Sequence, residues 1–84
     1  MGMKDVNAKS FITKDFYITA FLIANGFQLS HINRTNPRQV YFAFTNSDGK
    51  AELVEDFLYG RAKVEPKSFI SAIKEVKQLL HAND

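Results

Sequence analysis

Thr13-Lys14-Asp15-Phe16-Tyr17-Ile18-Thr19-Ala20-Phe21-Leu22-Ile23-Ala24-Asn25-Gly26-Phe27 is the stretch on which the reading of this chain turns. It carries both ends of a helix and an unusual middle. The Thr13 hydroxyl suits an N-cap, where it would accept an orphan amide of the first turn. Asp15 would then sit in that turn, at the positive end of the dipole. Gly26 suits the left-handed position that closes a helix, and Phe27 just beyond it can fold back onto the last turn. Between these ends only Thr19 interrupts the apolar run from Phe16 to Ala24. A helix apolar on nearly every side has to be covered on more than one side. The expectation is a central helix, packed between a sheet and another helix or a second subunit.

Working outward, Gln39 to Thr45 alternates with period two: Val40, Phe42 and Phe44 on one face, Tyr41, Ala43 and Thr45 on the other. Phe27 to Asn33 reads as its partner strand. Phe27, Leu29 and His31 share a face there, and Ile32 is out of phase, which a bulge would reconcile. Arg34-Thr35-Asn36-Pro37-Arg38 has turn composition, so the two strands form an antiparallel hairpin. Asn46-Ser47-Asp48-Gly49 offers cap residues for a second helix over Lys50 to Tyr59, with Leu53, Val54, Phe57 and Leu58 as its apolar stripe and Gly60 as its stop. Pro66 opens a last helix. Phe69, Ile70, Ile73, Val76 and Leu80 form its inner face, while Lys67, Lys74, Glu75 and Lys77 lie elsewhere and His81 stands near its end.

These elements define an α+β fold: an antiparallel β-hairpin packed by three helices. Two short segments, Ser10-Phe11-Ile12 and Arg61 to Glu65, could extend the sheet to three or four strands. If both do so, the alternative is a ferredoxin-like βαββαβ sandwich plus a C-terminal helix. The hairpin reading is preferred because both segments are short, and a lone hairpin is stable once helices cover it.

The chain has 84 residues, enough for one domain. Residues 1–9 read as a flexible tail, 10–81 as the globular domain and 82–84 as a frayed end. The sequence lacks Cys, so the core must rest on apolar packing, to which eight Phe and three Tyr contribute. Phe16 to Ala24 is the longest dense apolar stretch and falls far short of the ~20 residues of a membrane span. A cytoplasmic setting without membrane contact is expected. The net charge of +2 is mild, and basic and acidic residues are interspersed.

Chemistry-bearing patterns are sparse. His31 and His81 are fifty positions apart, and a metal site needs three or four converging ligands. No metal, cofactor or catalytic residue is expected, and His31 reads as a partly buried strand residue. Asp48-Gly49-Lys50 lacks the remainder of a phosphate-binding loop. Glu52, Glu55 and Asp56 share a helical surface, which reads as a solvated face rather than an acid–base pair. The aromatic strand is more suggestive. An exposed ring on a sheet can stack a nucleic-acid base, and Tyr41 faces away from Phe42 and Phe44. Arg34, Arg38, Arg61 and Lys63 would then meet phosphates.

The string Phe11-Ile12-Thr13-Lys14-Asp15-Phe16-Tyr17, with Ala20-Phe21-Leu22, Gly26-Phe27, the strand Val40 to Phe44, Glu52-Leu53-Val54 and Val64-Glu65-Pro66-Lys67-Ser68-Phe69, resembles an uncharacterised bacterial and phage family, DUF5659. The resemblance spans Phe11 to Leu80 and implies an intracellular stand-alone domain of phage or mobile-element origin. It brings no activity and no site residues. Two functions are carried forward. The first is a non-enzymatic interaction module, self-associating as a homo-oligomer or binding a protein partner, motivated by surplus apolar surface. The second is weak single-stranded nucleic-acid binding through Tyr41 and the flanking Arg and Lys residues.

Overall fold

A computed structural model of the chain describes residues 10–36, 38–45 and 49–81. The segments expected as a tail (1–9) and an end (82–84), and the cap candidates at 46–48, lie outside the described residues. The element order is β1 (Ser10–Thr13), α1 (Phe16–Ala24), β2 (Leu29–Asn36), β3 (Gln39–Thr45), α2 (Lys50–Leu58) and α3 (Pro66–Leu80). The fold is α+β, a β-hairpin widened to three antiparallel strands and packed by three helices.

The cap of α1 falls two residues later than the sequence suggests. Thr13 is held extended by its pairing with Phe42, so it closes β1 instead of opening the helix. Its Oγ1 accepts the Asp15 amide at 3.1 Å. Asp15 is the N-cap, and its Oδ1 accepts the Ile18 amide at 2.9 Å. Thr19, the single polar residue within the helix, is fully buried and donates its hydroxyl to the Asp15 carbonyl at 2.8 Å. The far end closes as expected. Gly26 has φ +93, its amide donates to Ile23 O, and the Phe27 amide donates to Leu22 O at 3.1 Å. This paired reversal satisfies carbonyls the helix would otherwise orphan. Residues Ile18 to Leu22 are all buried, and α1 packs against both α3 and α2, the central position its composition demands.

The strands lie in the order β1-β3-β2. Phe11 and Leu29 flank Phe44, while Thr13 and Ile32 flank Phe42, and this face meets the helices. Strand β2 starts later and runs further than its periodicity implies. The register shifts between Leu29 and His31 and again between Asn33 and Asn36. The first shift turns both Leu29 and Ile32 inward. His31 is therefore exposed, not partly buried on the Leu29 face. The Ser30 hydroxyl donates to Ala43 O at 3.1 Å within that irregularity.

Residues 61–65 do not form a strand, so the four-stranded ferredoxin-like alternative does not hold. The Arg61 and Ala62 amides both donate to Asp56 O, at 2.8 and 3.1 Å, and are spent on ending α2 rather than on a ladder. Gly60, at φ +75, makes the same kind of reversal as Gly26. Helix α2 begins after Gly49, which has φ +76 and provides no side-chain cap. Leu53, Val54 and Phe57 pack on the core, but Leu58 is exposed. It lies about a quarter-turn past the centre of that stripe. Ile70 is exposed for the same reason: the buried face of α3 centres on Ala72 and Val76, with Ile73 and Leu80 half-buried beside them.

The core joins Ile18, Ala20, Phe21 and Leu22 of α1 to Phe42 and Phe44 of β3 and to Ala72 and Val76 of α3. Phe57 links the layers, with ring centroids 4.8 Å from Phe21 and 6.4 Å from Phe69. Helix α3 starts on Glu65, whose Oε1 accepts the Ser68 amide at 2.8 Å and the Ser68 hydroxyl at 3.0 Å.

Candidate functional site

All three helices sit on the Phe42–Phe44 face of the sheet. The opposite face is left to Ser10, Ile12, His31, Asn33, Tyr41 and Thr45, all exposed. Ile12 and His31 stand on either side of Ala43, and Asn33 stands opposite Tyr41. An antiparallel sheet tolerates one solvated face when its residues alternate, as these do. Ile12 at 59% and Tyr41 at 36% exposure are the large apolar groups on it. Tyr41 thus stands where base stacking would need it.

The basic residues paired with Tyr41 in the sequence reading are dispersed. Arg34, on β2, is half-buried and donates to the last carbonyls of α3: Nη1 to Leu80 O at 3.2 Å and Nη2 to Leu79 O. Those carbonyls belong to the negative end of the helix dipole, so the guanidinium closes α3. Arg61 is held by Asp56, with Nη2 and Nε at 3.0 and 3.2 Å from one carboxylate oxygen, and its guanidinium lies 5.3 Å from the Tyr59 ring. Arg38 is exposed at the hairpin tip, where its amide donates to Asn36 Oδ1 at 3.0 Å. Lys63 is exposed in the link between α2 and α3. Of the acidic cluster, Asp56 is thus engaged by Arg61, while Glu52 and Glu55 are exposed.

Two features were not legible beforehand. An open groove of about 640 Å³ runs beside the edge strand β2, lined on its apolar side by Ile23, Phe27, Leu29, Ile32 and Leu79 and carrying Glu75 and His31. Lys50 is buried at the start of α2. Its Nζ donates to Thr45 O at 3.1 Å and lies 4.3 Å from the centroid of the Phe27 ring, joining the end of β3 to the start of α2 and to the end of α1. Lys50 looked like an ordinary first-turn lysine in sequence, because its burial depends on Phe27 arriving from another element.

The outer surfaces of the two later helices differ in sign. On α2, Glu52, Glu55 and Leu58 are exposed, with Tyr59 just past its end; on α3, Lys67, Ile70, Lys74 and Lys77 are exposed in one row, and Glu75 is exposed on a flank beside it. Positions 67, 70, 74 and 77 recur at alternating steps of three and four, which keeps them in one row along the helix. Among the described residues, no group of three or more His, Cys, Asp or Glu side chains could hold a metal ion. No helix among them is long and apolar enough to cross a membrane.

Neither a search of curated proteins nor one of solved structures finds a match to this chain. The sequence profile of one family does match, over residues 8–82, from the lead-in to β1 to just past the end of α3. The chain therefore belongs to the family described as Domain of unknown function (DUF5659).

Proposed function

We propose that this domain is a non-enzymatic interaction module that works by presenting apolar side chains to a second protein surface. The observation that carries the reading is the exposure of large apolar groups on elements that already have a filled core. Leu58 and Tyr59 are 64% and 68% exposed at the end of α2, and Ile70 is 52% exposed near the start of α3. The Phe57–Phe69 ring contact brings together the end of α2 and the start of α3, the two places that carry these exposed groups. Scattered single apolar residues are normal on a surface, whereas a collection of them favours a partner site. The test is chemical-shift mapping of labelled protein from about 20 µM to 1 mM, and against candidate partners from the same cell. Concentration- or partner-dependent shifts should centre on Leu58, Tyr59 and Ile70. Shifts confined to other surfaces would refute the reading.

A second reading, single-stranded nucleic-acid binding, is favoured by Tyr41 lying on the open sheet face. Arg38, at the hairpin tip, would be its phosphate contact, since Arg34 and Arg61 already serve helix ends and Lys63 lies in the link between two helices. Affinity should fall with salt, and Tyr41→Ala should weaken binding to a mixed oligonucleotide by about 1–3 kcal/mol. Undetectable binding at low salt removes this reading.

A further inference from the structure

We infer that the partner surface of α3 is α2 of a second copy of this chain, met reciprocally, so that two such contacts related by a twofold axis form a homodimer. This rests on the interaction-module reading and deepens it. The occupant follows from charge complementarity. The exposed row of α3 carries Lys67, Lys74 and Lys77 around Ile70, and ends at His81. The row itself contains no acidic residue; Glu75, also exposed, stands on the flank toward the groove beside β2. The exposed row of α2 carries Glu52 and Glu55, followed by Leu58, and contains no basic residue. The base within α2, Lys50, is buried, and the acid at its edge, Asp56, is held by Arg61.

Exposed helices commonly mix both signs at spacings of three and four, which gives internal support. Here Glu52 faces Glu55 and Lys74 faces Lys77 at a spacing of three, so each row repels itself. A row of the opposite sign from another molecule relieves both repulsions. The apolar groups then fit the same geometry. Ile70 lies among lysines and Leu58 ends the glutamate row, so each row joins an apolar group to charges of one sign, the composition of a small helix–helix seam. Because each copy holds one row of each sign, the contact can occur twice in a closed pair, the requirement for a twofold interface.

Sedimentation equilibrium over about 10 µM to 1 mM tests it on the full chain. The wild type should dimerise at about 50 mM NaCl, and raising the salt to about 500 mM should weaken the dimer by about tenfold. Lys74→Glu with Lys77→Glu should give a monomer, as should Glu52→Lys with Glu55→Lys. An equimolar mixture of these two double variants should recover dimers, because each contact in the mixed pair again joins opposite signs. Circular dichroism of each variant alone checks that it folds; Ile70→Ser, which leaves the charges in place, should also weaken the wild-type dimer. A wild type that stays monomeric to 1 mM at low salt overturns this dimer, while shifts at Leu58, Tyr59 and Ile70 on adding another protein would leave the module reading standing. A dimer insensitive to salt and to both reversals, or no recovery on mixing, overturns the helix-to-helix contact.

Discussion

At the scale of single residues, the ends of the helices show how far local chemistry decides structure. Gly26, Gly60 and Pro66 announce themselves in the sequence, because few other residues reach a positive φ or fit a first helical position so readily. A Cβ added at Gly26 would meet nothing within 4 Å, so Gly26→Ala tests backbone conformation alone. It should cost about 1–2 kcal/mol in urea unfolding, with Gly26→Asn costing less. Thr13 and Asp15 are a harder case. Both are good caps two positions apart, and only the pairing of Thr13 with Phe42 awards the role to Asp15. Asp15→Ala should therefore lower the melting temperature by about 4–8 °C, from a cap worth about 1 kcal/mol, and Thr13→Val should lower it less. Glu65 caps α3, and the Ser68 amide above all, with the Lys67 amide and the Ser68 hydroxyl, holds its carboxyl below the ordinary glutamate range. A carboxyl depressed in the folded state stabilises the fold above its unfolded pKa, and that contribution is lost as pH falls through the folded value. Melting curves recorded between about pH 6 and pH 3 should show a smaller acid loss for Glu65→Gln than for the wild type.

Among the elements, α1 was the most legible, because nine residues without a polar face permit few environments. The core bears this out, and Phe21 at its centre is 1% exposed against Phe57. Phe21→Ala should cost about 3–5 kcal/mol, a large part of the stability of a domain this small, and denaturant titration would show the midpoint moving accordingly. Strand β2 was the least legible. A period-two reading assumes an unbroken ladder, and two register shifts break it, which is why periodicity puts His31 on the wrong face and ends the strand before Arg34. The true role of Arg34 depends on α3, forty-five positions away, and nothing local signals it. Arg34→Ala should loosen the last turn of α3 by about 0.5–2 kcal/mol, seen as faster amide hydrogen exchange near Leu80 and His81 while the amides of Ala72 and Val76 stay protected.

For the molecule as a whole, composition and element order were enough to give the α+β class and the hairpin beneath three helices. The third strand was less certain because four residues carry little periodicity, and the fourth failed because Asp56 O had already taken the Arg61 and Ala62 amides. The surfaces were only half legible. The lysines of α3 and the glutamates of α2 could be counted, but whether each set was left exposed and unmixed depended on where Lys50, Asp56 and Glu75 turned. The Arg residues chosen as phosphate contacts illustrate the same limit, since an arginine in a loop and one that ends a helix read alike.

The double irregularity of β2 has a consequence for how the protein behaves when concentrated. Only His31, Ile32 and Asn33 keep unbroken register with β3. A neighbour zipping onto that border would lose step after three residues, and the opposite border, β1, is only four residues long. Neither margin of the sheet can seed a long cross-β ribbon. Crowded solutions should therefore thicken through reversible, globular contacts and stay free of thioflavin-positive fibres.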